Sequence, residues 1–238
     1  ATRYNALAIT WEPPRPEDVM LTARLLRRGL RPARGIQARS TSVIDLTPSM
    51  EAIAARQHHK WRYNTRLARK HGVRVREAES VAELARWYMV MRITAERDGF
   101  GIHSEDYYRR FWLQTVGAGD TALLLAEHEG LLLGGVLVHR FGATATYLWG
   151  ASSNEARHLM PNHLLQWEAI RWAKERGATR YDLFGIAEND SADDPLAGVT
   201  RFKAGFGGQV VRYAGAFDRV YHPALYALAQ RARGRGVD

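Results

Sequence analysis

The sequence contains no cysteine, and this absence excludes a disulfide framework, a thiol nucleophile and a zinc site built on thiolates. Its nine histidines show neither HExxH nor a similar spacing. We therefore expect no metal and no other cofactor.

Long apolar runs are also missing. The longest, Thr121–Glu127 and Leu131–Val138, have charges between them, and neither is long enough to span a membrane. The first residues lack the basic and apolar regions of a signal peptide. We expect a cytoplasmic protein, whose arginines would also permit peripheral contact with an anionic membrane surface.

Lysine is scarce although the chain is basic. Of its 34 basic residues only four are lysines, and the net charge of +9 predicts an anionic partner such as nucleic acid or a phosphorylated substrate. Arginine serves wherever charge alone suffices, so a retained lysine favours a role for a compact ammonium with an adjustable pKa. Lys203, in the glycine-rich segment Phe202–Gly208, is the best candidate. The alternative is an ordinary solvated charge.

At 238 residues the chain can form one large domain, or one domain and part of another. Its beginning predicts a strand at Ala6–Trp11, a helix at Glu17–Arg28 and a strand at Arg39–Leu46. Such a piece cannot cover its own apolar faces. We expect it to complete a larger sheet or to be the remnant of a truncated domain.

The remainder predicts a mixed α/β fold. Its elements are a basic helix at Pro48–His71, helices at Glu79–Arg97 and Ser104–Val116, an antiparallel meander of Thr121–Glu127, Leu131–Phe141 and Thr144–Ala151, a helix at Asn162–Arg176, and strands at Tyr181–Ile186 and Gln209–Phe217. This order is typical of a GNAT-type acyltransferase, with a mainly antiparallel sheet flanked by helices. Fold alone does not give function.

The donor motif of GNAT enzymes that use acyl-CoA is absent. That motif, Q/R-x-x-G-x-G/A, holds a pyrophosphate on backbone amides at a helix N-terminus. The nearest segment, Arg97–Gly101, is one residue short. This argues against a CoA donor, although an N-acyltransferase that uses acyl-CoA or acyl carrier protein stays an alternative. A non-enzymatic RNA-binding module is a second alternative.

Six segments, in order, resemble the FemABX peptidyltransferases: Lys60–Asn64 through Ala68–Val73, then Arg97–His103, Tyr147–Ser152, Pro161–Ile170, Tyr181–Ile186 and Phe202–Gly207. Those enzymes take amino acids from aminoacyl-tRNA. They add them to the side-chain amine of the third residue of a peptidoglycan stem peptide, which builds the interpeptide bridge. The resemblance implies the same reaction here, with a nucleotide-linked or lipid-linked acceptor.

The resemblance also implies two GNAT-like domains in tandem. Residues 1–46 would be the closing portion of a truncated first domain, residues 47–220 the second domain, and residues 221–238 a C-terminal helical tail. We expect a monomer.

Two residues match the donor site of that family. Lys203 matches its essential lysine, whose ammonium would stabilise the oxyanion of the tetrahedral intermediate or the departing ribose oxygen. Phe202 matches an aromatic residue that stacks on the terminal adenine of the tRNA. The alternative for Phe202 is core packing.

Four residues match or adjoin the acceptor site. His103 and Tyr107 match positions that hold the phosphates of the acceptor, and Tyr147 matches a tyrosine that contacts it. For His103 the alternative is a helix cap or a core histidine, and for Tyr147 it is a half-buried strand residue. Arg97 could bind the acceptor or only pair with Asp98 at the end of a helix.

A cluster of basic residues, Lys60, Arg62, Arg66 and Lys70, is a candidate contact for the acceptor arm of the tRNA. The alternative is a solvated helix face.

Overall fold

The computed structural model describes residues 6–189, 191 and 194–234. In chain order the described elements are β1 (Ala8–Trp11), α1 (Val19–Arg27), β2 (Arg31–Ala33), β3 (Ser40–Asp45), α2 (Met50–Arg56), α3 (His59–Lys70), β4 (Arg74–Glu77), α4 (Val81–Asp98), α5 (Glu105–Thr115), β5 (Thr121–His128), β6 (Leu131–Phe141), β7 (Thr144–Ser152), α6 (Pro161–Glu175), β8 (Arg180–Gly185), α7 (Ala197–Ala204), β9 (Gln209–Arg212), β10 (Ala216–Val220) and α8 (Pro223–Gly234).

Seven strands form one large sheet in the order β4-β5-β6-β7-β8-β3-β9. The predicted meander of β5, β6 and β7 is confirmed, and it is antiparallel throughout. β7 and β8 are instead parallel. They pair only where Thr144–Thr146 of β7 lie opposite Arg180–Asp182 of β8. Beyond Thr146 the two strands continue without pairing with each other, so the sheet opens between them.

Helices cover both faces of the meander. α3 and α6 lie on one face, where Leu165, Ala169 and Ile170 pack in the same cluster as Val136 and Val138. α4 and α5 cover the other face through a second cluster, built on Trp87, Tyr108, Leu123 and Leu137. Because both faces are covered, most of β5 and β6 is buried rather than alternately exposed.

A small sheet, β1-β10-β2, packs with α1 around Leu25 and Phe217. The N-terminal piece therefore contributes to both sheets, since β3 lies between β8 and β9 in the large one. The domain boundaries at residues 46 and 220 stay predictions. Residues 1–5 and 235–238 of the outer segments lie outside the described residues.

Two predicted elements are wrong in their continuity. The helix predicted for residues 48–71 is two helices, because Gln57 is extended and the His58 side chain caps α3 by accepting from the Lys60 amide. The strand predicted for residues 209–217 is also two, since the chain turns at Gly215, where φ is +85°, and β10 enters the small sheet.

Candidate functional site

The short helix α7 places Lys203 where the large sheet opens. The Lys203 side chain lies in the last turn of α7, and the residue is only 6% exposed. Its Nζ donates a hydrogen bond of 2.6 Å to the carbonyl oxygen of Gly185, the last residue of β8. The same Nζ lies 5.7 Å from the ring centroid of Tyr147 on β7. The ammonium thus bridges the two strands that part from each other.

Burial changes the acid–base behaviour of Lys203. Loss of hydration lowers its pKa from 10.5 to about 8, and the negative charge of Asp182 opposes this effect. At neutral pH the amine is therefore mainly an ammonium. A buried cation of this kind can stabilise an oxyanion that forms beside it.

Tyr147 lines the same opening. Its ring lies over Gly150, where an added methyl group would be 1.9 Å from the Tyr147 hydroxyl oxygen. Only glycine permits this approach. Burial raises the pKa of Tyr147 to about 12, so the phenol is neutral at physiological pH.

Phe202, the neighbour of Lys203, lies in an aromatic cluster. Its ring meets His163 and Phe206 edge to face, with ring centroids 5.4 and 5.2 Å apart. The Phe202 carbonyl accepts a hydrogen bond of 3.0 Å from the indole of Trp61 on α3. Core packing therefore accounts for part of its role, and base stacking stays a prediction.

The glycines after Lys203 let this segment pack closely against the α2–α3 turn. A methyl group on Gly205 would lie 2.2 Å from the Trp61 ring, and one on Gly207 would lie 2.5 Å from the Arg56 carbonyl oxygen. Gly207 also has a φ of +78°. The spacing of these glycines thus reflects close contact with the rest of the fold.

His163, for which no role was predicted, supports Phe202 from α6. Its Nε2 lies 3.1 Å from the amide nitrogen of the buried Asn64. Since that amide donates, Nε2 accepts and Nδ1 carries the proton. Burial, with a smaller effect of Lys60, lowers the His163 pKa to about 4 and keeps the ring neutral. The only sequence signal for His163 was its position inside Pro161–Ile170, one of the segments that resemble the FemABX enzymes.

A cavity of about 750 Å³ lies between the small sheet and the large one. Asp182 and Phe184 of β8 line it, as do Thr146 and Leu148 of β7, so it reaches the opening between these strands. The lining also contains three glutamates and two arginines: Glu12, Glu17, Glu188, Arg34 and Arg39. Neither the cavity nor a role for Asp182 was predicted, because the cavity depends on how the two sheets meet and the contacts of Asp182 depend on how β8 pairs with β3.

His103 and Tyr107 come together, but on the other side of β7 from Lys203. Their rings stack with centroids 4.1 Å apart, and Tyr107 meets Trp149 edge to face. Trp149 belongs to the α4–α5 cluster, whereas Tyr147 packs on the α3–α6 cluster. The irregular register at Leu148 explains why these two strand residues face opposite sides.

Arg97 ties the end of α4 to the end of β7. It forms two hydrogen bonds of 2.8 Å with Asp98, and it donates to the Ser152 carbonyl and the Asn154 side chain at 2.9 Å. These contacts supply a structural role. Acceptor binding by Arg97 stays a prediction.

The basic cluster on α3 divides into two groups. Arg62 donates to the Gln57 and Ala55 carbonyls at 2.6 and 3.2 Å and so stabilises the break between α2 and α3. Lys60, Arg66 and Lys70 are exposed. The structure thus leaves three of the four cations available to a ligand.

In the part of the chain that the structure describes, no three histidine or acidic side chains converge to hold a metal ion. Within the same part, no helix is both long and apolar enough to cross a membrane.

Residues 28–127 and 121–233 match the FemAB family. The chain belongs to the FemAB family. The predicted family is therefore confirmed. The chain is 26% identical to the Lipid II:glycine glycyltransferase of Staphylococcus haemolyticus (strain JCSC1435) over 264 aligned residues. The alignment covers 84% of this chain and 63% of that protein. The FemAB-family chain thus spans less than two thirds of this relative.

Solved structures confirm the fold. The crystal structure of FemX superimposes with a TM-score of 0.88 at 23% identity and covers 96% of this chain and 75% of its own. A tandem GNAT protein from the clavulanic acid biosynthesis pathway has a TM-score of 0.53 at 15% identity, with 92% and 66% covered. The GNAT-like architecture predicted from the order of elements is therefore confirmed.

Proposed function

We propose that this FemAB-family chain is a cytoplasmic aminoacyltransferase of peptidoglycan synthesis. It moves an amino acid from aminoacyl-tRNA to the side-chain amine of the third residue of a stem peptide. The observation that carries the proposal is the buried Lys203 ammonium at the opening between β7 and β8, held by the Gly185 carbonyl.

Lys203 acts on the donor ester. Attack by an amine on that ester produces a tetrahedral oxyanion, and collapse of the intermediate releases the ribose oxygen. A positive charge in a site with little water stabilises both species strongly. Phe202, one residue away, receives the terminal adenine, and the exposed cations of α3 contact the acceptor arm of the tRNA.

The acceptor peptide occupies the cavity between the two sheets. Its nucleophile is an ammonium until it loses a proton, and the cavity carries acidic side chains, of which Asp182 lies at the opening between the strands. Tyr147 contacts the acceptor where the reacting amine passes through the opening towards Lys203, while His103 and Tyr107, on the opposite side of β7, hold its phosphates. Positioning of two large substrates then supplies much of the rate.

One assay tests the proposal. The chain is incubated with labelled glycyl-, alanyl- or seryl-tRNA and with nucleotide-linked or lipid-linked precursors whose third residue is lysine, ornithine or diaminopimelate. We expect label to enter at least one precursor, and acetyl-CoA to give no acetylated product.

Two outcomes contradict the proposal. Acetyl transfer without aminoacyl transfer would identify an acyl-CoA enzyme. Binding of charged and uncharged tRNA with equal affinity, and no transfer in any pairing, would identify an RNA-binding module.

A further inference from the structure

Strand β8 carries an irregularity immediately before the carbonyl that holds Lys203. Thr41 of β3 pairs with Gly185, whereas Val43 pairs with Asp182, so two residues of β8 lie opposite one residue of β3. These two residues are Leu183 and Phe184. The φ of Phe184 is +62°, which lies in the left-handed region. For a residue with a side chain this conformation is unfavourable, so its surroundings must stabilise it.

Asp182 supplies that stabilisation. Its Oδ1 accepts a hydrogen bond of 2.8 Å from the Phe184 amide and another from the Thr41 hydroxyl. Asp182 is 8% exposed and Thr41 is 2% exposed, so both bonds form away from water. One carboxylate oxygen therefore joins the irregular turn of β8 to β3.

The residue that follows Phe184 is Gly185, whose carbonyl oxygen accepts from the Lys203 Nζ at 2.6 Å. We propose that Asp182 is the positioning residue of Lys203: it fixes the turn that aims the Gly185 carbonyl at the ammonium and places a negative charge near it. This inference rests on the proposed function only in one respect, namely that Lys203 takes part in aminoacyl transfer.

Asp182 is also the charge that matters to Lys203 at neutral pH. In the described residues, the titratable side chains close to Lys203 or to Asp182 include Tyr147, Tyr181, Tyr213 and, behind Phe202, His163. Burial raises the pKa of the three tyrosines and lowers that of His163, so all four are neutral between about pH 5 and pH 9. Arg201 is exposed on α7 itself. The electrostatic support of the buried ammonium thus comes from Asp182.

Nuclear magnetic resonance of the lysine side chains tests this directly. Because the chain has only four lysines, the Lys203 signal of protein labelled with ¹³C and ¹⁵N in lysine is assigned by one substitution. Asp182→Asn keeps an oxygen that accepts from Phe184 and Thr41 but removes the charge. We expect the midpoint of the Lys203 titration to fall by about one pH unit, as for loss of an opposite charge at short range.

Lys174 is the matched control. Its Nζ also donates to a backbone carbonyl, that of Leu46, at 2.6 Å. The Lys174 signal should be the same in the wild type and in Asp182→Asn at every pH. An unchanged Lys203 midpoint in folded Asp182→Asn would overturn the inference.

A second variant covers the case in which Asp182→Asn does not fold. Thr41→Val keeps the shape of the side chain and removes only its hydroxyl, whereas Thr41→Ser keeps the hydroxyl. We expect the Lys203 signal to shift in Thr41→Val and to stay in place in Thr41→Ser. Equal signals in the two variants would contradict a role for the Asp182–Thr41 pair.

The pH profile of kcat/KM separates positioning from simple loss of structure. In Asp182→Asn the basic limb of the profile should move to lower pH by the same amount as the Lys203 midpoint, whereas a merely structural role would lower the rate at every pH equally. The titration needs no tRNA. A shifted midpoint in a chain that transfers nothing would therefore refute the proposed function and leave this inference intact.

Discussion

Trp61 and Gly205 are in direct contact, and the contact leaves no space for a side chain on Gly205. A Cβ there would lie 2.2 Å from Cε2 of the Trp61 ring. The Trp61 indole also donates to the Phe202 carbonyl. Helix α3 therefore fixes the segment that carries Lys203 by shape and by a hydrogen bond.

Gly205→Ala should therefore destabilise the protein by about 1–3 kcal/mol, because the Trp61 ring must move. Gly198→Ala is the matched control, since Gly198 lies in α7, which ends immediately before Gly205, and a methyl group at Gly198 would meet nothing within 4 Å. Its stability should be unchanged or slightly higher. Chemical denaturation measures both, and equal stabilities would show that the contact with Trp61 is not tight.

The stability of the chain should depend on the titration of Lys203. Its pKa is about 8 in the folded protein and 10.5 is the ordinary value, so between these values the unfolded chain binds more protons. The contribution of Lys203 to the free energy of unfolding therefore rises with pH in this range. Between pH 7.5 and 9.5 the wild type should gain about 2 kcal/mol relative to Lys203→Met. A difference that stays constant across this range would mean that Lys203 is not buried as an ammonium.

Sequence patterns predicted most of the fold because hydrophobic periodicity and turn residues are local. β6 was placed without error, and the helix expected from residue 162 begins one residue earlier, at Pro161. The short strands β2 and β4 and the helix α7 were missed, since each depends on neighbours rather than on its own pattern.

The candidate site was only partly predictable. Lys203 was found because lysine is rare and its neighbours match a family. Asp182 and His163 were not, since their importance arises from contacts with Thr41, Phe184 and Asn64 that no local pattern encodes.

Phe202→Leu should weaken the binding of aminoacyl-tRNA. Loss of stacking on one base costs about 1–3 kcal/mol, so KM for the charged tRNA should rise about 5- to 150-fold with little change in kcat. Phe206→Leu is the control, because Phe206 is fully buried behind Phe202. It should lose stability and keep the same KM. If both variants lose only stability, Phe202 is a packing residue.

The exposed cations of α3 should contact phosphates of the tRNA. Arg66 and Lys70 lie with His59 and Tyr63 at positions i, i+4, i+7 and i+11, which form one stripe of the helix. Substituting either Arg66 or Lys70 by glutamine should reduce the slope of log K against log salt by about one. Arg92→Gln, an exposed arginine on α4, is the control. An unchanged slope in all three variants would mean that α3 is a solvated face.

The most direct test compares two lysines that each donate to a backbone carbonyl at 2.6 Å: Lys203, which donates to Gly185, and Lys174, which donates to Leu46. Initial rates of aminoacyl transfer are measured for the wild type, Lys203→Met and Lys174→Met, with folding checked by thermal denaturation. Lys203→Met should lower kcat/KM by about 10²–10³-fold, the usual effect of removing one group that stabilises an oxyanion, whereas Lys174→Met should stay within about threefold of the wild type. Equal rates in folded Lys203→Met and Lys174→Met would contradict the assignment of Lys203.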